Sequence, residues 1–146
     1  MVFWRDEGSV FEAPLDQVWE FLDDPEGHTR AHEHTEVSRE RTGPETGTYS
    51  WRQPFEGVPT RFTMRWRSFH PLGIAYDVVE GPFDGSRFFL YYLPLGSRTG
   101  IAIVGEFRSP TLGAAELPAA LDRFFAKEFD QDRQRIESRT RRTASG

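Results

Sequence analysis

Apolar residues recur at Leu117, Leu121, Phe124, Phe125, Phe129 and Ile136, through a stretch near the end of the chain that is otherwise mostly charged. Their spacing places them on one face of an α-helix. Pro118 fits only a first turn, where its missing N–H has no partner, so the helix is predicted to begin between Ala114 and Leu117. From there to Arg139 it covers roughly 35 Å at about 1.5 Å per residue. An amphipathic rod of that length needs an apolar surface to lie on.

Upstream the period changes to two. Over 61–67, Phe62, Met64 and Trp66 alternate with Arg61, Thr63, Arg65 and Arg67, giving one apolar and one wet face. Further strands are predicted over 36–41, 48–55, 74–80, 86–95 and 99–108, and Tyr49, Trp51 and Gln53 share one side of the second of these. Glycine and proline turn signals separate them at about the ten-residue spacing of an antiparallel meander. A first strand is predicted over 2–12, although Arg5, Asp6 and Glu7 interrupt its apolar residues. Ala13-Pro14 ends it. Leu15, Val18, Trp19 and Leu22 then mark a short helix that Asp23-Asp24-Pro25 stops. Residues 27–34 form a polar turn or a second short helix and hold three of the four histidines.

The order is strand, two short helices, six strands, long helix. This is an α+β arrangement in which a seven-stranded curved antiparallel sheet wraps around the C-terminal helix. One rod laid across a strongly bent sheet leaves space between them, which large side chains fill or which stays open as a pocket.

That order, with Ala13-Pro14, Val18-Trp19 and Asp24-Pro25 in the first helical segment, resembles the START/polyketide-cyclase (SRPBCC) superfamily. By element order the resemblance spans nearly the whole chain, whereas the residues that carry it lie near its start and include no catalytic group. It implies a helix-grip fold and a hydrophobic cavity for a lipid, polyketide, aromatic compound or isoprenoid. Fold alone does not fix activity.

Length fits one domain over 1–146, with 140–146 expected as a frayed tail. The absence of cysteine excludes disulfides, thiolate metal sites and cysteine nucleophiles, and the iron–sulfur domain of the superfamily's oxygenases is absent. A net charge of −5 argues against nucleic acid as the main partner. No apolar run is long enough to span a membrane, and the N-terminus does not read as a signal peptide, so a cytoplasmic location is expected. Nothing in the pattern specifies an oligomer.

The 14 % aromatic content points to the strand region. On the strands, Trp51, Phe62, Met64, Trp66 and Tyr76 are expected to line a cavity, together with Phe89 and Tyr91, although in the 86–95 strand Phe88, Leu90 and Tyr92 are the alternative inward set. On the helix the expected lining is Leu121, Phe124, Phe125 and Phe129. The same residues would serve equally well as plain core. His28 and His32 have i,i+4 spacing and lie near His34, but His-Glu-x-x-His is absent and Gly27 weakens the helix. The cluster therefore reads as a solvated loop near the cavity mouth rather than a metal site, with His32 offering one polar contact to a ligand. Glu128 and Asp132 lie a helical turn apart, whereas Asp77 and Glu106 are expected to face solvent. No cofactor is expected and no catalytic residue stands out. The reading is binding or transport of a small hydrophobic molecule. Its alternatives are a cyclase or aromatase-type enzyme using the same cavity, or a protein-interaction module with a filled core.

Overall fold

The computed structural model describes residues 1–6 and 8–145, the last three by their backbone alone. The elements in chain order are β1 Val2–Arg5, β2 Ser9–Phe11, α1 Leu15–Leu22, α2 Pro25–Ala31, β3 Thr35–Gly43, β4 Thr46–Phe55, β5 Val58–Phe69, β6 Gly73–Glu80, β7 Arg87–Leu95, β8 Arg98–Phe107 and α3 Leu117–Ser145. The strands form one antiparallel sheet in the order β1-β8-β7-β6-β5-β4-β3, with β2 also paired to β8. The first strand is thus two pieces on the same neighbour. Gly8, at φ +100, holds a backbone conformation that an extended strand of L-residues cannot continue through.

Local chemistry sets the helix boundaries. Pro14 precedes α1, whose Val18, Trp19 and Phe21 are buried. Asp24 caps α2 by accepting from the Gly27 N–H, and Pro25 occupies the first turn. Leu117 opens α3 with its N–H bonded to the Gly113 carbonyl, and Pro118 falls in the first turn as the sequence requires. The segment expected to fray, 140–146, is helix through Ser145, and Gly146 lies outside the described residues. No helix among the described residues is long and apolar enough to cross a membrane.

Strand alternation assigns two faces. Phe62 and Met64 on β5, Val78 on β6, Phe88 on β7 and Ile103 on β8 pack against Leu117, Leu121 and Phe124 of α3 as one core. Its rings interlock: Trp51 stacks on Phe62 at 5.3 Å and Phe62 on Phe124 at 5.6 Å. A second core joins Phe11, Val18, Trp19, Ile74, Tyr92 and Ile136 at the other end of α3. Burying each such side chain contributes about 1.5–3 kcal/mol, so both ends of the helix are pinned by apolar packing.

Candidate functional site

Between the two cores α2 crosses over α3 and delivers histidines onto it. His28 lies in the last turn of α2, and His32 is its C-cap. Glu33 adopts φ +54, and this left-handed residue is exposed while both of its histidine neighbours are buried. A non-glycine residue held there costs about 1–3 kcal/mol, strain that tends to persist where the surroundings fix a site. His32 is 4 % exposed and His34 8 %, so the expectation of a solvated loop is corrected. Apolar and ring contacts exclude water here: His34 stacks on Trp51 at 4.8 Å and His28 on Phe21 at 5.5 Å.

Two carboxylates one turn apart on α3 grip one imidazole. Glu128 Oε2 lies 2.8 Å from His32 Nδ1, and Asp132 Oδ1 lies 2.7 Å from His32 Nε2. Gln131 Oε1 also lies 2.7 Å from His32 Nδ1. The chain of contacts continues outward. Trp51 Nε1 donates to Gln53 Oε1 at 2.6 Å, and Gln53 Nε2 donates to Glu128 Oε1 at 2.8 Å. His34 Nδ1 shares a hydrogen bond of 2.7 Å with the Tyr49 hydroxyl, while its Nε2 is buried and makes no hydrogen bond of normal geometry.

The charges follow from these neighbours. Burial alone would lower the His32 pKa, but the charge and hydrogen bond of Asp132, joined by those of Glu128, outweigh it and push His32 up to about 11. Burial, reinforced by the charge of the neighbouring His32, pushes His34 down to about 3. His28 is also lowered, by burial first, with Asp132 opposing. Burial would raise the Glu128 carboxyl, yet His32's hydrogen bond and charge hold it below the usual range. The neutral-pH cluster is therefore one imidazolium, two neutral imidazoles and the Glu128 carboxylate.

Away from the clamp, some inward-facing side chains are not fully buried. Trp66, Tyr76, Leu90, Phe125 and Phe129 face inward but are only half-buried, and Tyr76 and Leu90 border both cores. A concavity of about 700 Å³ reaches their helix side between β1–β2 and α3, lined by Trp4, Ser9, Phe125, Phe129 and Arg133. A larger one, about 1160 Å³, crosses the other side of the sheet, and the outward residues Arg65, Arg67, Arg87, Phe89 and Val104 help to wall it. Its lining also takes in Trp4, Trp66, Tyr76 and Phe88 from the inward set.

The expected lining residues divide accordingly. Trp51, Phe62, Met64, Leu121 and Phe124 are buried within the ring-filled core. Trp66, Tyr76, Phe125 and Phe129 are half-buried, with Tyr76 packed against both cores, Phe125 against the first, and Trp66 and Phe129 against the second. Phe89 and Tyr91 do not join them, because Phe88 and Tyr92 take the inward positions of β7 and Tyr91 is 42 % exposed. His32 sits in the clamp. Asp77 and Glu106 lie on the outer face, where Glu106 pairs with Arg87 at 2.7 Å. Sequence reasoning missed Gln53 and Gln131 as partners and did not join the histidines to Glu128 and Asp132. The available signal was the match between closely spaced histidines and carboxylates one turn apart.

No family profile and no curated protein matches the sequence. Solved structures do match. A protein from Thermus thermophilus, TTHA0849, superposes with a TM-score of 0.79 at 16 % identity, over 95 % of this chain and 99 % of its own. The Zhui aromatase/cyclase of a Streptomyces species gives 0.75 at 18 % identity, covering 98 % and 96 %. A START superfamily protein from Mycobacterium smegmatis gives 0.72 at 14 %, covering 94 % and 99 %. The curved sheet, the two short helices after β2 and the gripped C-terminal helix, matched over more than nine-tenths of the chain by these structures, show that this chain has the helix-grip fold.

Proposed function

We propose that the protein binds a small, largely apolar molecule with a hydrogen-bond-donating end in the space between its two cores. The observation that carries this is the set of inward-facing aromatic residues, Trp66, Tyr76, Phe125 and Phe129, that packing leaves only half-buried. Side chains that face inward and keep exposed surface border on space, and moving an apolar ligand there from water is favourable by about 25 cal/mol per Å² buried. Asp132, whose side chain is 18 % exposed, is the acceptor at the polar end. The helix-grip relatives that include an aromatase/cyclase and a START superfamily protein support the same class of ligand. The concavity beside Trp4 and Phe129 is the route of entry.

The test is thermal denaturation of the full chain against flavonoids, simple phenols and fatty acids, followed by native mass spectrometry. A ligand at a hundred times its Kd stabilises by about 2.7 kcal/mol, a rise of several degrees in Tm. Leu90→Trp, which fills the space, should abolish that rise. If no compound shifts Tm and Leu90→Trp changes nothing but stability, the reading fails.

One observation favours catalysis in the same space. His28 is held neutral and half-buried beside the clamp, with its ring 4.7 Å from that of His32, and so it could accept a proton. On this reading His28→Ala would abolish ring closure of a poly-β-ketone substrate while leaving ligand-induced stabilisation intact. Loss of both together would favour binding alone.

A further inference from the structure

We propose that His32, His34 and Glu128 form a binding site for one divalent first-row transition-metal ion, of the zinc type. Each brings a ligand atom within 4.8 Å of the other two. Each side chain has a second polar atom held from outside the set: His32 Nε2 bonds to Asp132, His34 Nδ1 to the Tyr49 hydroxyl, and Glu128 Oε1 to Gln53. The atoms turned toward one another are then His32 Nδ1, His34 Nε2 and Glu128 Oε2, of which His32 Nδ1 and Glu128 Oε2 bond to each other at 2.8 Å. A carboxylate or hydroxyl on the far nitrogen of each histidine is the arrangement that orients metal-ligating imidazoles.

The independent observation is His34 Nε2. Its residue is 8 % exposed, and the nitrogen makes no hydrogen bond of normal geometry, although the Gln53 side chain lies close to the ring. A buried acceptor left unpaired costs about 1–3 kcal/mol, and a metal ion is a partner that would satisfy it. Gln131 Oε1, 2.7 Å from His32 Nδ1, offers a further oxygen. Nitrogen and oxygen donors without thiolate suit Zn²⁺, Co²⁺ or Fe²⁺ better than the all-oxygen preference of Ca²⁺ or Mg²⁺. Ligand bonds of about 2.0–2.1 Å set tetrahedral donors about 3.3 Å apart. His32 Nδ1 and Glu128 Oε2 stand 2.8 Å apart, so a small side-chain rotation admits the ion. The proton between them leaves to solvent as the ion enters. Three protein ligands leave a coordination position open. This inference stands independently of the apolar-ligand reading.

The test is calorimetric Zn²⁺ titration of the chelator-treated full chain, with Co²⁺ absorption spectra reporting the coordination. One ion per chain is expected, with Co²⁺ bands of low coordination number. Glu128→Gln, nearly isosteric, and His34→Ala should each weaken Zn²⁺ at least tenfold. Tyr49→Phe, which keeps every ligand, should cost about 10–100-fold and alter the Co²⁺ spectrum. The proposal is overturned if the wild-type chain does not bind Zn²⁺, or if Glu128→Gln and His34→Ala, shown to be folded by circular dichroism, bind as tightly as wild type. It is also overturned if Asp132→Asn abolishes binding while Glu128→Gln leaves it intact. That result would place the ion in the neighbouring set His28, His32 and Asp132.

Discussion

His32 Nε2 lies 2.7 Å from Asp132 Oδ1 across 100 residues of sequence, which ties the C-terminus of α2 to the middle of α3. Removing one partner leaves the other buried and unpaired. Asp132 retains some exposure, so Asp132→Ala is expected to destabilise by about 3 kcal/mol, at the low end for a buried pair, in urea unfolding. The His32→Ala/Asp132→Ala double variant should cost clearly less than the sum of the singles. Additive costs would mean that the two groups do not interact.

The parity of β7 can be checked by two truncations. Phe88 is 6 % exposed and packs in the first core, whereas Tyr91 is 42 % exposed on the outer face. Phe88→Ala should cost about 3–5 kcal/mol and Tyr91→Ala less than about 1. The reverse order would invert the strand.

Tyr76 and Tyr92 should not ionise in the folded protein at the pH where a free phenol does. Burial raises both, and Asp132 adds to the rise in each. A phenol that holds its proton more tightly folded than unfolded contributes stability that is present below about pH 10 and falls as the pH rises further. Phenolate absorbance should therefore report at least two of the four tyrosines only with alkaline unfolding. Full ionisation with an intact circular-dichroism spectrum would contradict the burial.

Gly47 faces the interior on β4, and a Cβ there would meet the Trp66 ring at 2.5 Å and the Glu40 carbonyl at 2.8 Å. Gly47→Ala should lower stability by about 1–3 kcal/mol and shift the tryptophan emission as Trp66 moves. Gly113→Ala, with nothing within 4 Å, is the control expected to be near neutral.

Much of the architecture can be read from the residues. The alternation around Phe62, Met64 and Trp66 identifies β5, and Pro118 marks the first turn of α3 because only there does a missing N–H do no harm. The site is legible only in pieces. Strand periodicity has two phases, and in β7 both phases are aromatic, so Phe89 and Phe88 compete equally until the sheet chooses. Gln53 reads as a polar interruption in an inward row and becomes a bridge only because Glu128 stands opposite it.

The sequence alone determined the elements, their order and which faces were apolar, because those depend on spacing along a few turns or strands. Tertiary structure decided which apolar faces close on each other and which leave room. It also decided that α2 lies over α3, turning scattered histidines and carboxylates into a buried clamp. Contacts across about a hundred residues depend on chain reversals such as the left-handed Glu33, whose geometry is set by what surrounds it rather than by its neighbours in sequence.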